Sequence, residues 1–171
     1  GGGAYAASTT QRVGGAGAAG KVVLTYTTPT YYSKSSGDAN TLANWNTDRD
    51  GSSGNAPASF MAGGIFAIQN GHSMTTSAAW TLGQDNRIQI EGGGTLTATF
   101  LITNTNFQVD DGGTYVHNIA GSSANGSPSD FPGTTRALGA TSTVEFQKWA
   151  SGGSGPVALP GPGLLPGQGE V

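Results

Sequence analysis

Cysteine is absent from the 171 residues, which excludes a disulfide framework and thiolate-held metal centres while leaving the compartment open. Basic residues are scarce: seven Lys and Arg stand singly, so no patch exists to attract a phosphate backbone. No run approaches the ~18 continuous apolar residues of a membrane-spanning helix. Neither nucleic-acid binding nor membrane insertion is expected. Large aliphatic and aromatic side chains are few as well, with Leu, Ile, Val and Phe numbering 29, below the ~20% of a chain at which disorder is suspected. The formal charge of −3 is too small for an acidic, self-repelling coil, so the shortage points to thin, turn-rich β structure. An initiator Met and a signal peptide are also lacking; the chain starts inside Gly1-Gly-Gly, as expected of a processed product or a piece of something longer.

What the chain has in quantity is Gly, Ser, Thr and Asn, 77 residues in all, suited to tight turns and solvent-facing strand positions and poorly suited to helix interiors. Within them a phrase recurs: Phe66-Ala-Ile-Gln-Asn-Gly-His-Ser-Met74, Ile88-Gln-Ile-Glu-Gly-Gly-Gly-Thr-Leu96 and Phe107-Gln-Val-Asp-Asp-Gly-Gly-Thr-Tyr115, its starts 22 and 19 residues apart. Each copy reads as an alternating strand, a polar turn with glycine at one place (Gly71, Gly93, Gly112) and the opening of a second strand. This is the pattern of a coiled rung, and it predicts an all-β fold with a short parallel β-solenoid. Ile68, Ile90 and Val109 form one expected inward column; Phe66, Ile88 and Phe107 form a second, and Met74, Leu96 and Tyr115 a third. Ala67, Gln89 and Gln108 should then face outward.

Four segments are expected. Residues 1–30 are a glycine-rich segment ending in the strand Lys21–Tyr26, and 31–64 are a polar connecting and capping segment with a helical turn near Leu42 to Trp45. Trp45, Phe60 and Met61 are its expected plugs over the end of the apolar stack. The repeats occupy 65–149, with Thr143–Phe146 continuing the stack after a loop from Gly121 to Gly133, and 150–171 form a Gly/Pro-rich tail that leaves the sheet.

Asn46, Asp48 and Asp50 before Gly51 match the opening of a calcium loop, where alternate oxygens wrap a hard cation; Pro57 stands where the closing bidentate Glu should be, and a plain Asx-rich turn is the competing reading. Structural calcium is the one cofactor the sequence suggests. Asp85, Glu91, Asp110 and Asp111 form an acidic set, but Glu91 and Asp110 share the strand-to-turn corner where carboxylates commonly accept turn N–H groups. His72 and His117 occupy non-equivalent repeat positions without a nucleophile motif nearby, so no catalysis is expected. Thr95, Thr97 and Thr99 suggest a threonine ladder of the kind that orders water, broken where other copies carry Ser73 or Val116. Tyr31, Tyr32 and Trp80 could stack on sugar rings, against a core or cap role for Trp80.

Tyr31-Tyr-Ser-Lys-Ser-Ser-Gly37, Leu42-Ala-Asn-Trp45, Ile68-Gln-Asn-Gly-His72 and the Gly-Gly-Thr rungs together resemble large secreted or cell-surface proteins of Bacteroidota, in which a glycine-rich stretch precedes β-solenoid repeats. The resemblance implies export to the cell surface and a structural or adhesive role, with no catalytic residues to carry over. Such a segment is expected to associate with itself, as in a fibre, or with other parts of a larger surface protein. The alternative is a carbohydrate-binding or polysaccharide-cleaving β-helix module with glycans as partners.

Overall fold

The computed structural model describes residues 27–119 and 131–147. The expected strand at Lys21–Tyr26, most of the loop from Gly121 to Gly133 and the tail 150–171 lie outside the described residues. Within them the fold is all-β, with a single 3-10 turn at Leu42–Asn44. The strands are β1 (Thr30–Ser33), β2 (Gly37–Asp38), β3 (Trp45–Asn46), β4 (Ile65–Ile68), β5 (Ser73–Thr75), β6 (Trp80–Thr81), β7 (Arg87–Ile90), β8 (Thr95–Ala98), β9 (Ile102–Thr103), β10 (Asn106–Val109), β11 (Thr114–His117), β12 (Thr135–Leu138) and β13 (Thr143–Phe146).

Successive repeats supply successive strands to two sheets. The first runs β12-β10-β7-β4-β1-β3 and the second β13-β11-β8-β5-β2, while β6 and β9 form a small third sheet. Every pairing is parallel except β1 with β3. Register is in step throughout: Phe66 lies beside Ile88 and Ile88 beside Phe107, Ile68 beside Ile90 and Ile90 beside Val109, and Met74 beside Leu96 and Leu96 beside Tyr115. All nine side chains are buried. At roughly 1.5–3 kcal/mol for each large apolar side chain removed from water, these columns are the main favourable term in a chain with few such residues.

The turn from each first-sheet strand to the following second-sheet strand keeps the columns aligned. In four repeats it is four residues long, and in three of them its third residue is a glycine at positive φ: Gly71 (+78°), Gly93 (+79°) and Gly112 (+76°). A positive φ there is what a type II turn requires, and the turns close through His72 N–H to Gln69 O, Gly94 N–H to Glu91 O and Gly113 N–H to Asp110 O, at 2.8–3.0 Å. These turns also stack on one another. Gly71 N–H donates to Gly93 O at 3.0 Å and Gly93 N–H to Gly112 O at 2.9 Å, so the ladder continues around the corner between the sheets.

The two ends differ. At the first, β3 pairs antiparallel with β1, and Trp45, fully buried, anchors its indole N–H to Ala39 O at 3.0 Å. Trp45, Phe66, Trp80, Phe60 and Tyr31 form one aromatic cluster there, with Trp45 stacked on Trp80 at 5.8 Å. Met61 is no plug; it is 64% exposed, because its backbone, not its side chain, packs against Gly83. At the other end Phe107, Tyr115 and Phe131 make a second cluster, with Tyr115 and Phe131 at 5.0 Å. The middle layer of Ile88, Ile90 and Leu96 is aliphatic.

Three features depart from the sequence reading. The sheets begin with Thr30–Ser33, across the boundary into the segment expected from residue 31 to be a polar connector, because Tyr31 continues the Phe66 column and packs on that ring at 5.4 Å. A further strand, β12, brings Arg136 into the same column beside Phe107; its guanidinium is accommodated by donating to Pro132 O and Phe131 O at 3.0 and 3.1 Å. Ala67 alternates to the outer side yet is 1% exposed, since the chain following β3 covers that part of the face.

The turn geometry makes a direct prediction. Gly93→Ala places a Cβ 2.7 Å from Asn70 Oδ1 in a left-handed conformation, and it should lower unfolding stability in urea by roughly 1–2 kcal/mol. Thr97→Ala, on the outer side of β8, should stay within about 0.5 kcal/mol of the parent. Equal effects would mean that the turn does not hold the register.

Candidate functional site

The outer face of the first sheet carries the most chemistry, and alternation dictates what it shows. One row across it is Thr30, Ile65, Arg87, Asn106 and Thr135, and the next is Tyr32, Ala67, Gln89, Gln108 and Ala137. A groove of about 440 Å³ follows the first row, lined among others by Thr28, Asp85, Arg87, Asn106, Gln108 and Thr135. A second hollow of about 510 Å³ shares Gln108 and Ala137 with it and continues toward Asp110 and Asp111.

Asp110 organises the junction of the two. Its Oδ2 accepts from Gln89 Nε2 at 2.7 Å and its Oδ1 from Gln108 Nε2 at 2.5 Å, so one carboxylate holds two stacked amides in place. Asp111 instead accepts from Thr141 N–H at 3.1 Å. Glu91, the acid at the equivalent corner of the preceding repeat, faces Arg49 and pairs with it bidentately at 2.7 and 2.8 Å. Three of the four acids therefore have separate jobs, Glu91 on a guanidinium, Asp110 on amides and Asp111 on a turn N–H, while Asp85 lines the first groove.

Arg49 closes the other end of this face. Its guanidinium lies 4.3 Å from the centre of the Tyr32 ring, and its carbonyl accepts from Gln69 Nε2 at 2.7 Å. The hydrogen bonds to Glu91 raise its pKa above the ordinary arginine value, with burial opposing. Gln69 is the hinge of the arrangement: its amide also donates to Ser33 O at 2.7 Å and its N–H to Ser33 Oγ at 3.0 Å. Ser33 Oγ in turn stands 2.8 Å from His72 Nδ1. This Ser–His contact, between residues 39 apart, was not visible in the sequence. Ser33 is 0% exposed, so its hydroxyl serves to join β1 to the β4–β5 turn and is out of reach of a substrate.

The proposed calcium residues run from Asn46, the last residue of β3, into the loop that follows. Asn46 is buried and its Oδ1 accepts from Asp48 N–H at 2.8 Å; Asp50 Oδ1 accepts from Ser52 N–H at 2.8 Å, and Asp48 Oδ2 from Ser53 Oγ at 2.6 Å. Hydrogen bonds from Ser52, side chain first and backbone second, hold Asp50 below the usual carboxylate range. These oxygens complete Asx turns, and among the described residues no three His, Cys, Asp or Glu side chains gather as a metal cluster.

The aromatic residues expected on sugars are placed otherwise. Trp80 is 1% exposed inside the first aromatic cluster, a correction that follows from β6 turning it inward onto Trp45. Tyr31 is an inward residue packed on Phe66, and Tyr32, which does face outward, has Arg49 over its ring. His117 is buried, with Nδ1 3.1 Å from the Tyr115 hydroxyl and its ring against Phe146. On the second sheet Ser73, Thr95, Thr114 and Thr143 form an unbroken hydroxyl row, whereas the neighbouring row runs Thr75, Thr97, Val116, Glu145. Arg87, which lines the groove together with Arg136, had no sequence signal beyond its place one residue before the Ile88 repeat.

Because Arg49 is half exposed, its pair with Glu91 is screened, and Arg49→Ala should cost at most about 1 kcal/mol of stability. Amide exchange in residues 47–55 should nevertheless speed up, as the loop loses its tether. A loss of several kcal/mol would show instead that the loop is part of the core. No helix of the described residues is long and apolar enough to cross a membrane. No family model, no curated protein and no solved structure matches this chain.

Proposed function

We propose that the chain is a short parallel β-solenoid acting as a structural or adhesive segment at the outside of a bacterial cell, without a catalytic role. The observation that carries this reading is the shared register of both sheets: apolar columns recur inward from repeat to repeat while the outward polar residues change. A scaffold needs the first and is indifferent to the second. Placement at the cell surface rests on the resemblance to secreted Bacteroidota proteins, not on the fold.

The unlike ends bear on assembly. Antiparallel β3 and the buried Trp45 occupy the end beside β1, so the first sheet offers a second parallel repeat no matching edge there, while β2 is the outermost strand of the second sheet among the described residues. At the far end β12 and β13 are the last strands of their sheets among the described residues, and Leu138 and Val144 are only partly buried. Growth by stacking is therefore favoured at the β12–β13 end, where both sheets finish in a parallel strand. Identical chains would meet in pairs through it, and head-to-tail fibres would find a matching second edge in one sheet only.

Sedimentation of the purified chain across a wide concentration range, with electron micrographs of the same samples, tests this. Monomers and dimers without filaments are expected. Filaments would overturn the capped-end argument, and turnover of a polysaccharide or peptide substrate would remove the structural reading.

A further inference from the structure

We infer that the groove over β7, β10 and β12 is a binding site for an acidic carbohydrate chain, with Arg87 meeting a uronate carboxylate. The inference deepens the adhesive reading by naming a ligand class, and it rests on the groove rather than on assembly. Its starting point is the state of the arginines. Arg49 is paired with Glu91, and Arg136 donates to the carbonyls of Phe131 and Pro132. Arg87 has neither kind of partner among the described residues, and its Nε is buried with no acceptor.

Nε is closed off, whereas the terminal N–H groups of the guanidinium have no acceptor among the described residues and are the donors that a carboxylate entering the groove would meet. The guanidinium fork matches a carboxylate in two parallel hydrogen bonds, which fixes orientation as well as charge. Around it stand Thr28, Asn106 and Thr135, whose hydroxyl and amide groups donate and accept as sugar hydroxyls do, and Asp85, whose carboxylate accepts from sugar hydroxyls and opposes the acid group that Arg87 attracts. The side chain of Asn106 makes no hydrogen bond among the described residues, while its carbonyl is engaged by Asn104 Nδ2 at 2.6 Å. The groove volume of about 440 Å³ falls within the ~300–1,000 Å³ typical of ligand sites.

Geometry favours a carbohydrate over a peptide. β7 and β10 are hydrogen-bonded on both sides, so an extended peptide finds no free edge to join and must rely on side chains alone. The outward rows repeat at the strand spacing of about 4.8 Å, which offers a ligand chain of regular short repeat one polar contact per strand. At the far side Asp110 holds Gln89 and Gln108, whose amide carbonyls stay available to hydroxyl donors.

The test uses two probes differing only in the acid group: a mannuronate oligomer and a mannose oligomer of the same linkage, each titrated calorimetrically into the full chain. The mannuronate oligomer should bind at least tenfold more tightly than the neutral one, and the difference should shrink as salt rises. Arg87→Gln should lose that tenfold preference with an unchanged melting curve, while Glu145→Gln, on β13 of the other sheet, should keep it. If Arg87→Gln does not fold, Asn106→Ala supplies the check through a severalfold loss of affinity. Equal binding of the two oligomers, binding of neither, or an Arg87→Gln chain that still prefers the acid would overturn the proposal. A monomer that binds mannuronate would leave this inference standing whatever the assembly state, and filaments that ignore it would do the reverse.

Discussion

The constraint on which the structure depends is that equivalent residues of successive repeats lie directly side by side. Once a parallel ladder is in register, each side chain has the residues of the same repeat position as neighbours about 4.8 Å away on the same face. A one-residue slip would turn the whole apolar set outward. The four-residue turn, identical in length in four repeats, transmits the register from one sheet to the next, and the glycine peptides at its tip are themselves stacked. Variation in length is confined to the opposite side, between the second-sheet strand and the next first-sheet strand. There the chain between Thr75 and Arg87 is longer than the chain between Ala98 and Asn106, and the small β6–β9 sheet absorbs the difference.

A chain with few large apolar residues can fold this way because each one counts. The interior is ordered as aromatic cluster, aliphatic layer, aromatic cluster, and the flat rings gather where the stack must be closed. Buried polar groups are mostly given a task. Ser33, Gln69 and Thr76 each bridge strands through backbone groups, Thr76 Oγ1 accepting from both Thr99 N–H and Phe100 N–H at 2.9 and 3.0 Å. In a thin core such bridges take the place of further apolar bulk.

Much of this was legible where a period existed. The three copies of the phrase expose the inward columns and the turn glycine, because alternation of period two and a positive-φ turn both leave marks on residue type. Where the physical cause is not periodic, the sequence is silent. Tyr31-Tyr-Ser33 extends the stack without the glycine turn, and Arg136 enters an apolar column only because two carbonyls stand beside its guanidinium. Two-residue strands such as β6 show no alternation, so the pattern alone does not decide between a sugar-stacking and a core role for Trp80, which is internal. The site was less legible still: Tyr32 was noticed for its ring, but the guanidinium that covers it is 17 residues away, and nothing local marks Arg87 as the groove's unpaired cation.

Register can be measured directly because the chain has no cysteine of its own. Gln89 and Gln108 are side by side on β7 and β10, whereas Arg87 and Gln108 are offset by two residues along the same outer face. A double Gln89→Cys, Gln108→Cys chain should form an intramolecular disulfide readily under mild oxidation, since adjacent strands place Cα atoms within the 4.4–6.8 Å that such a bond needs. The Arg87→Cys, Gln108→Cys chain should form it slowly or not at all. Equal cross-linking of the two pairs, or faster closure of the offset pair, would contradict the in-step stacking on which the whole account rests.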